Sequence, residues 1–144
     1  MRRLADSIGF SQPVLYGHFP DGRDGIIRAV ALAGFARLAE LLIAARDLSG
    51  ICAAYLEFAR SRRATYEAMF SMPTDLEFAR PTTPEQLRAG FGPLLSTMGD
   101  ETGAEVLWSA LHGLADLSRH GRLRPDHDTA RVEMLIDLLR RTDL

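Results

Sequence analysis

Apolar residues return every three to four positions over most of this sequence, and runs alternating at period two are nearly absent. A helical turn of roughly 3.6 residues puts such positions on one face, whereas a strand needs a period of about two. An all-α fold follows. From about Arg23 to Arg46, Ile27, Val30, Ala31, Phe35, Leu38, Leu41, Leu42 and Ala45 keep the helical period and predict one long helix, broken at Ser49-Gly50. A second long helix is predicted over about Ile51 to Phe70, with Tyr55, Phe58, Ala59, Tyr66, Met69 and Phe70 on one side, stopping before Met72-Pro73. Residues 71–83 read as loop with room for one turn. Thr83-Pro84-Glu85-Gln86 has the form of a capping box with proline at the first helical position, opening a helix to about Met98. Asp100 is placed to cap a helix over about Glu101 to His120, and Gly121 to end it.

A last helix restarts at Pro125 to Asp128 and runs to about Arg141. Its apolar residues Val132, Met134, Leu135, Ile136, Leu138 and Leu139 cover too much of the circumference for one buried side. A terminal helix that is apolar on two sides buries one of them against another subunit. A homodimer built from the last two helices is therefore expected, using faces near Leu111, Leu114, Leu135 and Leu139.

Ahead of the long helix lies a different pattern. Arg2 to Phe10 reads as a short helix with Leu4, Ala5 and Ile8 on one face, Gly9 marks a turn, and Ser11 caps a second short helix over roughly Gln12 to His18. Phe19-Pro20-Asp21-Gly22 is a turn cluster, followed directly by the long helix. Short helix, glycine turn, short helix is the plan of a helix-turn-helix, in which the second helix lies in the major groove of DNA. It is equally the plan of a plain helical hairpin with solvated polar residues. On the DNA reading Gln12 can pair with an adenine edge and Val14 can touch a thymine methyl. Ser11 or Tyr16 can bond a phosphate, with Leu15 and His18 on the same helix. Arg2, Arg3 and Arg23 flank the unit as phosphate partners, and the N-terminus of the long helix adds its dipole.

Charge and cysteine usage set the bounds. The net charge is −2, so nucleic-acid binding must come from a local patch. No run of about 18 apolar residues exists, which excludes a membrane-spanning helix, and no secretory leader is visible. The single cysteine, Cys52, cannot form an internal disulfide and suits a reducing cytoplasm. The histidines, His18, His112, His120 and His127, lack zinc-ligand spacing, and no phosphate loop appears, so no metal or cofactor is implied. His112 and Asp116 could form a general-base pair, but no serine or cysteine nucleophile accompanies them, and catalysis is not expected.

The stretch Leu4-Ala5 through Gly9-Phe10-Ser11-Gln12-Pro13-Val14-Leu15-Tyr16-Gly17-His18-Phe19-Pro20 resembles the TetR-family pattern I-A-x-x-A-G-V-S-x-x-x-L-Y-x-H-F. Leu4 stands for the usual Ile, Ile8 for Ala and Phe10 for Val. Trp108-Ser109-Ala110-Leu111-His112-Gly113 is similar to the Trp-x-x-x-His-Gly motif in the regulatory domain of one branch of that family. The resemblance implies a DNA-binding unit over residues 1–22 and an antiparallel helical bundle over 23–144 that binds ligand and dimerises. It implies phosphate contacts from Tyr16 and from Arg23, which stands where lysine is usual. It also implies a repressor that a small effector releases from a palindromic operator. In the family a first helix of about four turns precedes the segment that begins here at Met1. Without it, Leu4, Ile8, Leu15 and Phe19 are expected to be uncovered and operator binding to be weak. The alternative is then a dimeric helical ligand-binding protein.

For the effector, the aromatic and methionine-rich set of Tyr55, Phe58, Tyr66, Met69, Phe70 and Phe91 builds either a plain core or an adaptable apolar pocket. Trp108 and His112 share a helix face and could line that pocket. Alternatively Trp108 is core and His112 a satisfied buried histidine, with Gly113 permitting close helix packing. Arg62 falls on the apolar side of its helix, where it could anchor an acidic ligand or snorkel to the surface.

Overall fold

The structure, a computed structural model, describes residues 22–71 and 83–141. Every regular element among them is helical. Helix α1 spans Arg23–Ala44, α2 Leu48–Ser61, α3 Arg63–Phe70, α4 Glu85–Met98, α5 Glu101–Arg119 and α6 Asp128–Arg140, the last preceded by a 3₁₀ turn at Pro125–His127.

Helix α1 is the axis of the bundle. Ile26, Ile27, Val30, Ala31, Gly34, Phe35, Leu38, Ala39 and Leu42 are all buried, a stripe wide enough to receive α3 and α4 as well as α2. It opens at Gly22, whose φ of 64° is a backbone state that side-chain-bearing residues rarely adopt. Gly34 is the point of closest approach: a Cβ there would stand 2.6 Å from Met69 Sδ and 2.7 Å from Thr65 Cγ2. The absence of a side chain lets α3 press directly on α1.

The single helix expected over Ile51–Phe70 is two helices. It begins earlier, because Asp47 caps it by accepting a hydrogen bond from Gly50 N at 2.8 Å, which puts Ser49 and Gly50 inside the first turn. It breaks at Arg62, with φ −121° and ψ 55°. Neither proline nor glycine is present at the break. Ser61 Oγ bonds back to the carbonyl of Glu57 at 2.7 Å, an interaction that bends helices, and the redirected α3 carries Thr65 and Met69 onto Gly34. Tertiary packing overrides a periodicity that runs through the joint unbroken.

The capping box at Thr83–Gln86 is also corrected. Pro84 itself is the N-cap of α4, with no side-chain cap bond. The remaining signals hold: Asp100 caps α5 by accepting from Gly103 N at 2.7 Å, and Gly121, at φ 66°, ends it. There Gly121 N bonds Ser118 O and Arg122 N bonds Leu117 O, the paired bonds of a Schellman ending.

Helix α6 turns Ile136 and Leu139 inward and leaves Met134 and Leu138 exposed, and α5 likewise exposes Val106 and Leu117. Two faces expected to meet a partner are therefore corrected. Leu111 and Leu139 belong to the core of the chain itself, and Leu114 and Leu135 are half-buried. Among the described residues no helix is long and apolar enough to cross a membrane.

Candidate functional site

A cavity of about 600 Å³ lies where α1, α2, α3, α4 and the first half of α5 converge. That volume is in the range of small-molecule sites. Its aromatic wall is Phe35 from α1, Tyr55 from α2, Phe70 from α3, Phe91 from α4 and Trp108 from α5. Leu38, Leu42, Leu87, Leu94 and Leu95 supply the aliphatic remainder, and Thr83, Arg88, Glu101 and Glu105 make the polar margin. Phe70 is the hub, its ring centroid 5.2 Å from Phe35, 4.7 Å from Tyr66, 6.0 Å from Trp108 and 4.9 Å from His112. Gly90 and Gly92 leave the α4 wall thin.

Behind that wall runs a buried polar chain. Trp108 bonds the Tyr55 hydroxyl, Tyr55 Oη lies 2.8 Å from Tyr66 Oη, and Tyr66 Oη lies 2.7 Å from His112 Nδ1. The indole N–H can only donate, so the Tyr55 hydroxyl accepts from it. A neutral His112 ring with a bare Nδ1 lets the chain run in one direction, Tyr55 donating to Tyr66 and Tyr66 to Nδ1. Burial, reinforced by Arg119 and opposed by Asp116, lowers the His112 pKa and so favours the neutral ring. Burial pushes the Tyr55 phenol up to about 12 and the Tyr66 phenol up as well, so both keep their protons. Trp108 and His112, one turn apart on α5, thus hold the two ends of a Tyr55–Tyr66 pair that bridges α2 and α3.

This separates the expected ligand residues into three groups. Tyr55, Phe70, Phe91 and Trp108 line the cavity. Tyr66, Phe58 and Met69 are buried around it, Tyr66 in the polar chain, Met69 against Gly34 and Phe58 in the core, and His112 is half-buried at the end of the chain. Arg62 does not join them: it is exposed at the α2–α3 joint, in a shallow hollow with Ser61, Arg63, Ala64 and Thr65. The helix break turns it outward. Phe35 is a cavity residue that the sequence pattern does not single out, because its helix otherwise has the pattern of plain core. An aromatic ring among the aliphatic residues of α1 was the available signal.

Of the expected DNA contacts, Arg3, Ser11, Gln12, Val14, Leu15, Tyr16 and His18 lie outside the described residues. Arg23 opens α1 and is exposed. His112 and Asp116 are engaged elsewhere, the ring with Tyr66 and Asp116 Oδ1 with Arg119 at 2.9 Å. Among the described residues no group of histidine, cysteine and acidic side chains could hold a metal ion.

Fold and cavity together define an all-helical domain built around an aromatic-lined cavity. The family described as "Tetracyclin repressor-like, C-terminal domain" matches residues 48–139, and the chain belongs to it. A solved structure described as "a protein with unknown function from Rhodococcus sp. RHA1" has the same fold, with a TM-score of 0.64 and 23% sequence identity over 98% of this chain and 82% of that one. No curated protein matches.

Proposed function

We propose that the protein is a ligand-controlled transcriptional repressor. It binds a palindromic operator as a homodimer and lets go when a small, largely apolar molecule fills the aromatic cavity. One observation carries this reading: α1 forms a wall of the cavity through Phe35, Leu38 and Leu42, and its other end begins at Arg23. Arg23 adjoins the segment with the recognition-helix pattern, in which Gln12 and Val14 read bases, Leu15 and His18 lie on the same helix, and Arg3, Ser11, Tyr16 and Arg23 hold phosphates. A ligand that displaces Phe35 tilts α1 and changes the spacing of two recognition helices, which must stay near one DNA turn apart. The role is regulatory and cytoplasmic rather than catalytic.

The second copy docks on the outer faces of α5 and α6. Val106, Ala110, Gly113 and Leu117 fall on one stripe of α5, with Val106 and Leu117 exposed, and Met134 and Leu138 extend it on α6. A Cβ at Gly113 would meet nothing within 4 Å, so no close approach inside the chain calls for a glycine there. Close approach of a partner helix does.

A gel-shift titration on the promoter of the protein's own gene tests the reading. Sequence-specific retardation, abolished by naphthalene as the apolar probe, is expected. Retardation that is equal on unrelated DNA, or none at all, overturns it.

A further inference from the structure

A second cleft, of about 620 Å³, lies at the C-terminal half of α5, between α2 and the start of α6, and shares no lining residue with the aromatic cavity. Its apolar floor is Leu56, Ala59, Leu114, Leu123 and Val132. Four arginines stand on its walls, Arg60, Arg63, Arg119 and Arg131, against the carboxylates of Glu57 and Asp128. Two of the arginines are committed to those carboxylates: Arg60 bonds Glu57 at 2.6 Å, and Arg131 bonds Asp128. The other two are not. Arg63 Nη2 bonds only the neutral carbonyl of Arg119, at 3.1 Å, and no carboxylate among the described residues. Arg119 has a side chain just 12% exposed. It shares Asp116 and Ser71 through Nη2 and keeps a buried Nε with no hydrogen-bond partner. A buried guanidinium donor left unpaired is costly, and a carboxylate is the group its fork fits best.

We propose that this cleft is a second small-molecule site, which takes an apolar carboxylate with its anionic end between Arg63 and Arg119 and its hydrocarbon on the Leu56–Leu114–Val132 floor. The stripe assigned above to the second copy lies on the opposite side of α5, so the two do not compete for the same face. The inference is independent of the aromatic cavity and of operator binding.

Isothermal titration of the full chain at pH 7.5 with octanoate, octan-1-ol and octylammonium tests it. Saturable octanoate binding is expected, with the alcohol and the ammonium at least about tenfold weaker, as loss of a charge-assisted bond implies. Arg63→Gln should weaken octanoate by a similar factor. Ala53 is exposed on the cleft margin, so Ala53→Phe should block binding while the melting temperature stays that of the wild type. Equal binding of octanol, undiminished binding to Arg63→Gln, or octanoate binding that survives Ala53→Phe would each overturn the assignment.

Discussion

Tyr66 and His112 are 46 residues apart in the chain, and the phenol oxygen of one is hydrogen-bonded to Nδ1 of the other at 2.7 Å. Tyr66 Oη is also hydrogen-bonded to Tyr55 Oη, so it is the central link of a chain spanning three helices. Tyr66→Phe takes a hydrogen-bond partner from buried Tyr55 and from half-buried His112 at once. It should destabilise the fold by about 1–3 kcal/mol, read as a lowered urea midpoint with unchanged slope. The conservative exchange of Phe58 for Leu removes volume but no hydrogen bond, and should leave the neutral tautomer of His112 intact by NMR.

The same pair makes stability depend on pH in one direction. Burial above all holds the folded-state pKa of His112 below its ordinary 6.5, with Asp116 opposing and Arg119 assisting. The unfolded chain therefore takes up a proton near pH 6.5 that the folded chain still refuses. Stability falls as pH drops through that value and levels off below the folded pKa. The loss between pH 7.5 and 5.5 should be larger for wild type than for His112→Gln. Denaturant unfolding at both pH values measures it, and equal losses in the two proteins would show that His112 does not carry the effect.

Most of the fold was legible because periodicity, caps and stops are local. Asp100 and Gly121 could be assigned from single residues, since each satisfies backbone groups within one turn. The α2–α3 break was not legible: it depends on Gly34, some thirty positions away, which accepts Thr65 and Met69 only if α3 swings. The candidate site shows the same divide. Tyr55, Phe70, Phe91 and Trp108 announced themselves as aromatic residues at helical spacing, while which side of each helix faces the cavity was set by packing. Of the two readings of Arg62 the exposed one holds for that reason, and the distinct roles of Trp108 and His112 emerged only with Tyr55 and Tyr66 between them.

Gly34→Ala should be costly although alanine favours helices. The added Cβ meets Met69 Sδ at 2.6 Å and Thr65 Cγ2 at 2.7 Å. Met69 can shift, but the β-branched Thr65 cannot easily turn. Overpacking of this kind costs about 1–3 kcal/mol. At Gly92 a Cβ meets nothing within 4 Å, so Gly92→Ala should gain up to about 1 kcal/mol from helix propensity. Opposite signs in the two thermal melts are the expected result.

Trp108 is the single tryptophan and lies on the cavity wall, so its emission reports directly on occupancy. Naphthalene should quench or shift it saturably. Phe91, whose ring centroid is 6.2 Å from the indole, closes the α4 side; Phe91→Ala should weaken naphthalene by about tenfold or more, given about 1.5–3 kcal/mol for a buried aromatic contact surface. Unchanged affinity would place the probe elsewhere.

The proposed dimer turns on Gly113. Inside the chain a Cβ there meets nothing within 4 Å, and any side chain but proline's favours the helix over glycine. Across a two-fold axis the same residue meets a copy of its own stripe, Val106, Ala110 and Leu117, and a bulky side chain holds the helices apart. Gly113→Leu should therefore raise or preserve the helicity of the chain while weakening self-association. Met134→Glu and Leu138→Glu should act the same way from α6, since both residues are exposed, at 66% and 55%, and a charge there costs the folded monomer little. An interface of that kind buries more than about 1,000 Å², so light scattering at micromolar concentration should give a dimer for wild type and a monomer for Gly113→Leu combined with Met134→Glu. A wild-type monomer, or a double variant that stays dimeric with unchanged affinity, would show that α5 and α6 do not meet a second copy through this stripe.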